Sequence, residues 1–147
     1  MEMLIGEFKN TLDEKGRILF PVKLRSVLEE KELMVTQGLD HCLMLFTLNE
    51  WAALSQKILG SASLFNDQKR LVLRRFIAPA QKIEFDKSGR LSIPQSLREY
   101  AGLKGECTIL GINKYMELWD TESYNEYLEK TESSYLQAAE SMGDIFL

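Results

Sequence analysis

The residues best suited to chemistry form a short set that occurs twice: Asp13, Lys15, Gly16 and Arg17, then Asp86, Lys87, Gly89 and Arg90. Both copies read D-x-x-G-R. An aspartate accepts hydrogen bonds from turn N–H groups, and glycine supplies the positive φ that a tight turn needs. Asp13, Gly16, Asp86 and Gly89 therefore read as turn-formers. Cations on a rigid turn suit phosphate oxygens, and arginine can also bond guanine O6 and N7 bidentately. Lys15, Arg17, Lys87 and Arg90 are the expected DNA contacts. Lys9, Lys23 and Lys82 read as peripheral phosphate contacts or solvated charges. Arg25 and Arg98 could equally pair with nearby acids, such as Glu29 and Glu30 in the first unit.

Other chemistries fit less well. Asp13 and Asp86 could be compared with a carboxylate dyad sharing one proton. Such a dyad meets in a central cleft, whereas these acids sit in turns beside arginines that keep them ionised. G-x-S-x-G, a P-loop and G-x-G-x-x-G do not occur. His41 beside Cys42 has no further ligand pair at the spacing a stable zinc site needs. No catalytic residue, metal, cofactor or small-molecule substrate is expected.

The 147 residues correspond to one domain or two very small ones, large enough to fold without metal or disulfide. No apolar run approaches the ~20 residues of a membrane span, and the first ten residues do not read as a signal peptide. The two cysteines fit a reducing cytoplasm. The formal charge of −4 argues against nucleic acid until its distribution is considered. Residues 1–98 hold fifteen bases and twelve acids; residues 99–147 hold three and ten. Basic character is local, and an acidic C-terminal segment masks it.

The elements that must position these residues repeat with them. A shift of 73 residues superimposes Lys9 on Lys82, Asp13 on Asp86, Gly16 on Gly89, Arg17 on Arg90, Pro21 on Pro94 and Arg25 on Arg98. Each unit reads as a β-hairpin through the D-x-x-G-R turn, a short helix opened by proline, and two more strands. Four short strands cannot close a core alone, so two copies interleaved about a pseudo-two-fold axis are expected. Between the units, Thr47–Glu50 matches a capping box opening one helix, which Gly60-Ser61-Ala62-Ser63 should break. A second helix should run from near Asn66 to Pro79, with a basic face of Lys69, Arg70, Arg74 and Arg75. That face could track phosphate or meet the acidic C-terminal helix of a neighbouring subunit; the tail's need for a counter-charge favours the second. Asp120 should cap one long acidic helix, with Gly143 to Leu147 loose behind it.

With D-x-x-G-R followed by x-x-x-P-x-x-[apolar]-R twice, Gly-Leu-Asp-x-Cys-Leu at 38–43 and Glu-Leu-Trp-Asp at 117–120, the sequence resembles the MraZ family of bacterial transcriptional regulators, tandem relatives of the AbrB-type swapped-hairpin DNA-binding domains. The resemblance implies an α+β fold, a double-split β-barrel formed by two hairpin/helix repeats and flanked by helices. It implies AbrB-like repeats at 7–50 and 80–123, a helical connector at 51–79 and an acidic C-terminal helix at 124–147. It further implies a ring-shaped homo-oligomer larger than a dimer, located with the nucleoid. Such a ring would bind repeated operator sites in double-stranded DNA upstream of division and cell-wall genes. The alternative is an AbrB-like protein-interaction module such as an antitoxin. Antitoxins usually carry one such motif and a disordered tail, whereas this chain has two motifs and a tail with helical patterning.

Overall fold

Short strands, from three to eight residues, hold a sheet poorly by local pairing, and here they are held by exchange between the repeats. The computed structural model describes residues 3–61, 63 and 65–146. The first repeat supplies β1 (Leu4–Thr11), β2 (Arg17–Leu19), α1 (Val22–Arg25), β3 (Glu32–Gln37) and β4 (Leu43–Thr47). The second supplies β5 (Gln81–Glu84), β6 (Arg90–Ser92), α4 (Gln95–Ala101), β7 (Glu106–Asn113) and β8 (Tyr115–Asp120). β1 of the first repeat runs antiparallel to β7 of the second, from Leu4↔Asn113 to Thr11↔Glu106. β5 of the second runs antiparallel to β3 of the first, from Glu32↔Glu84 to Val35↔Gln81. These strands form one six-stranded sheet in the order β1-β7-β8-β4-β3-β5, and β2 and β6 form a separate two-stranded ribbon.

The expected local hairpins are therefore reduced to their turns, with a bridge beyond the turn, Phe85↔Leu91, described in the second repeat. Asp13 N–H donates to the Arg17 carbonyl at 2.9 Å, but β2 then leaves β1 and pairs with β6 instead. Physically, the burial of Ile18 and Leu91 decides it. These repeat-equivalent residues face each other at the centre of the ribbon and are both fully buried. The same pseudo-two-fold axis recurs in the large sheet, where Met44 pairs with its equivalent Glu117.

One core serves both repeats. Ile18, Phe20, Leu24, Leu33 and Leu45 of the first pack in a single cluster with Leu91, Ile93, Leu97, Ile109 and Leu118 of the second. Each such side chain contributes about 1.5–3 kcal/mol on burial, so either repeat alone would expose most of what stabilises it. Pro21 and Pro94 sit one position before the first helical turn, as N-caps with ψ near 140°, and their carbonyls accept the first helical hydrogen bonds.

The connector forms α2 (Leu48–Ser61), α3 (Asp67–Val72) and a π-helical segment, Leu73–Ile77. Thr47 Oγ1 accepts from Glu50 N–H at 3.2 Å, and Asn66 Oδ1 accepts from Gln68 and Lys69 N–H at 3.0 and 3.2 Å. Trp51 lies against Phe46 and Phe76 with ring centroids 5.5 Å from each. Ala62, within the expected helix break, lies outside the described residues. The segment after Asp120 differs from the single helix expected. It divides into α5 (Thr121–Lys130), α6 (Glu132–Ser141) and α7 (Gly143–Phe146). Thr131 turns its hydroxyl back onto the Tyr127 carbonyl at 2.6 Å and leaves the helical region at φ −105°, ψ 9°; the Met142 backbone also leaves it, at φ −103°, ψ 21°. Gly143–Phe146 is helical rather than loose, and Leu147 lies outside the described residues.

Candidate nucleic-acid interface

The two D-x-x-G-R turns are built alike. Asp13 Oδ1 accepts from the N–H groups of Lys15 and Arg17 at 2.9 and 2.8 Å, and Arg17 Nε donates to Asp13 Oδ2 at 2.7 Å. Asp86 repeats this with Ser88 N–H, Arg90 N–H and Arg90 Nε, each at 2.9 Å. The Arg17 N–H donor foremost, aided by its guanidinium and by Lys15 N–H, holds the Asp13 carboxyl below its usual range; Asp86 is held down in the same way by Arg90 and Ser88. Gly16 and Gly89 take φ of +76° and +84°. Their carbonyls then accept across the repeats, Gly16 from Ile93 N–H at 2.9 Å and Gly89 from Phe20 N–H at 3.1 Å. The turns thus lie at opposite ends of one ribbon.

Ribbon register sets the outer face. With Ile18 and Leu91 turned inward, the pairs Arg17↔Ser92 and Leu19↔Arg90 share the other side. Arg17 and Arg90 are diagonal neighbours there, related by the pseudo-two-fold. The guanidiniums do not simply extend outward. Each spends Nε on its own aspartate, and the side chains retain 28% and 35% of their exposure. That clamp fixes the plane of each guanidinium and leaves the terminal nitrogens for a ligand, which suits bidentate recognition. Lys15 and Lys87 are exposed at the two turns, and Lys9, Lys23 and Lys82 are exposed nearby in sequence. Asp13 and Asp86 are each clamped at their own end of the ribbon and do not form a shared-proton pair.

Arg25 and Arg98 lie beside the two turns; of the two readings open for them in the sequence, the local ion pairs with Glu29 and Glu30 are not the one Arg25 adopts. Among the described residues Arg25 makes no ion pair with Glu29 or Glu30; its Nε donates to the Phe20 carbonyl at 2.9 Å. Its guanidinium lies over Gly89 of the opposite repeat, where an added Cβ would sit 2.6 Å from Cζ. Arg98 covers Gly16 in the same exchanged manner, and a Cβ there would overlap its guanidinium. Each end of the ribbon therefore carries an arginine from each repeat. The 73-residue offset relating Arg25 to Arg98 was the available signal for this role.

The other candidates lie apart. Arg70 pairs with Asp67 on α3, Lys69 reaches Ser61 Oγ at 3.3 Å, and Arg75 lines a cleft against α2. His41 packs against Tyr100, with ring centroids 5.2 Å apart. Burial, with help from Glu117, pushes the Cys42 thiol up to about 12, and burial does the same to Cys107, so neither is a ready nucleophile. No described group of three His, Cys, Asp or Glu residues could hold a metal ion. No helix among the described residues is long and apolar enough to cross a membrane.

Comparison with known proteins follows the same division into repeats. The sequence pattern of the MraZ family, described as "MraZ protein, putative antitoxin-like", matches residues 3–75 and again 76–145. The chain belongs to the MraZ family. It is 53% identical over 142 residues to the Transcriptional regulator MraZ of Treponema denticola, covering 97% of this chain and 99% of that one. The proteins of the same name from Treponema pallidum and Halothermothrix orenii are 42% and 43% identical, each over 97% of this chain and covering 95% and 99% of theirs. The solution structure of PHS018 from Pyrococcus horikoshii aligns at a TM-score of only 0.36 and 16% identity, over 78% of this chain and 96% of that one. Each MraZ match contains one complete D-x-x-G-R turn, yet β1 and β5 both pair with strands of the other match.

Proposed function

We propose that this protein is a sequence-selective transcriptional regulator that binds double-stranded DNA through the β2–β6 ribbon and its two turns. The observation that carries this reading is the pairing of Arg17 and Arg90 on one face of that ribbon, each oriented by its own aspartate. A two-stranded ribbon fits the major groove, where guanine presents two acceptors to a guanidinium. Lys15 and Lys87 at the turns then meet phosphates. The relatives named as transcriptional regulators support the same reading. On this view the protein is not an enzyme, and the sheet and ribbon together form a double-split barrel from repeats at 7–50 and 80–123. The connector at 51–79 and the segment 124–147 are left for assembly into a ring larger than a dimer. The ring engages repeated operator sites upstream of division and cell-wall genes in the nucleoid, where individually weak contacts add through effective concentration.

The test is titration of a labelled tandem-repeat promoter duplex against a shuffled duplex at several salt concentrations. Tighter binding to the promoter, weakening with salt, is expected; equal affinity for both duplexes counts against the proposal. The words "antitoxin-like" in the family description favour a second reading, a module that binds and inhibits a protein. In that case a partner protein, not promoter DNA, would be protected by the chain and co-elute with it.

A further inference from the structure

Along the sequence Arg25 belongs with Arg17 and Arg98 with Arg90, each eight residues behind its turn arginine. In the fold these pairs are crossed. Arg25 Nε donates to the Phe20 carbonyl at 2.9 Å, and the N–H of the same Phe20 donates at 3.1 Å to the carbonyl of Gly89, inside the turn that carries Arg90. The Arg25 guanidinium lies over Gly89, with Cζ, Nη1 and Nε at 2.6, 2.7 and 2.8 Å from where a Cβ would stand. Arg98 lies over Gly16 in the same manner, and Ile93 N–H donates to the Gly16 carbonyl at 2.9 Å. Both side chains belong to half-buried residues, and neither forms an ion pair among the described residues. Each covered glycine immediately precedes the arginine that the turn aspartate holds. A broad planar guanidinium can cover a bare glycine where no Cβ intervenes; the compact ammonium of a lysine cannot replace it there.

We propose that Arg98 is a positioning residue for Arg17, and Arg25 for Arg90, each covering the turn glycine of the opposite repeat and holding that turn in the shape that aims the arginine after it. The two reading arginines are thus each set by the other repeat. Arg98 acts through Arg17 and not through a charge of its own on a phosphate. The inference rests on the DNA-binding reading above and adds which residues of the ribbon depend on which.

The experiment compares the full chain with Arg98→Lys and Arg25→Lys, each alone and combined with Arg17→Ala or Arg90→Ala, with circular dichroism checked throughout. Arg98→Lys keeps the charge, yet is expected to weaken binding of the tandem-repeat promoter duplex about tenfold, in the range of residues coupled through shared contacts. The slope of log K against log salt should stay that of the parent. The loss should vanish where Arg17 is already alanine and persist in full where Arg90 is; Arg25→Lys should show the reverse. Parent-like affinity of Arg98→Lys, or a loss that simply adds to that of Arg17→Ala, would overturn the proposal. A second readout needs no DNA. Amide hydrogen exchange should quicken in residues 13–19 of Arg98→Lys and in residues 86–92 of Arg25→Lys, a crossing that a general loss of stability does not produce. Faster exchange only in the variant's own repeat, or equally in both turns, would overturn the proposal too. A parent that does not prefer the promoter duplex would remove the DNA-binding reading itself, and the exchange pattern would still decide the positioning.

Discussion

Each turn works because one aspartate does three jobs at once, satisfying two N–H groups and orienting an arginine. The glycines are as constrained as the acids. Alanine at Gly16 or Gly89 must adopt positive φ, at a cost of about 1–2 kcal/mol, and must also displace the arginine lying over it. Gly60, inside α2 with open space around its Cβ position, gains about 0.5–1 kcal/mol from the same change. Urea unfolding of the three variants should separate them in sign. The two arginines are comparable structurally, since their Nε–carboxylate distances are 2.7 and 2.9 Å, so the fold cost of removing either should largely cancel in a comparison. What differs is the flanks: residues 9–25 carry a net +3 and residues 82–98 a net +2. Arg17→Ala is therefore expected to weaken DNA binding more than Arg90→Ala, by a share of the ~1–3 kcal/mol that a bidentate base contact provides. Affinities at one fixed salt concentration decide this; a larger loss at Arg90 reverses the charge reading.

At the scale of elements, the connector is tied to the sheet by one buried hydrogen bond, Thr36 Oγ1 to the Phe76 carbonyl at 2.6 Å, within the π-helical segment. Thr36→Val keeps the shape and strips the donor, leaving a carbonyl unpaired, so a loss of about 1–3 kcal/mol is expected in thermal or urea unfolding. A variant as stable as the parent would mean that the connector is held by its aromatic packing alone. Sequence made the turns, caps and repeat offset legible, because Asp, Gly, Pro, Thr47, Asn66 and Asp120 act within a few residues of themselves. Strand partners were not legible in the same way. Alternation in Phe8–Leu12 says which face is buried but not that the partner is β7 rather than β2. The break of the tail at Thr131 was missed because a threonine mid-pattern is tolerated in most helices. Arg25 and Arg98 stayed open between two readings because nearby glutamates were visible and the opposite repeat's glycines were not.

At the scale of the whole molecule, exchange of β1 and β5 makes the two repeats inseparable. A fragment of residues 1–65 keeps β3 without β5 and β2 without β6, and leaves Ile18, Leu33 and Leu45 without their partners. It is expected to remain unfolded as a monomer, and a cooperative melt from that species would refute the interleaved architecture. The same exchange places the two turns on one rigid ribbon, which is what the proposed DNA binding requires of them. The most direct test is the salt dependence of operator binding by the parent and by the double variant Lys15→Ala/Lys87→Ala. Both lysines are exposed and make no described side-chain hydrogen bond, so the fold should be unchanged. The slope of log K against log salt is predicted to become shallower by roughly 0.9 for each lysine removed. An unchanged slope, with the parent's binding still salt-dependent, would place the DNA on some other face and contradict the account.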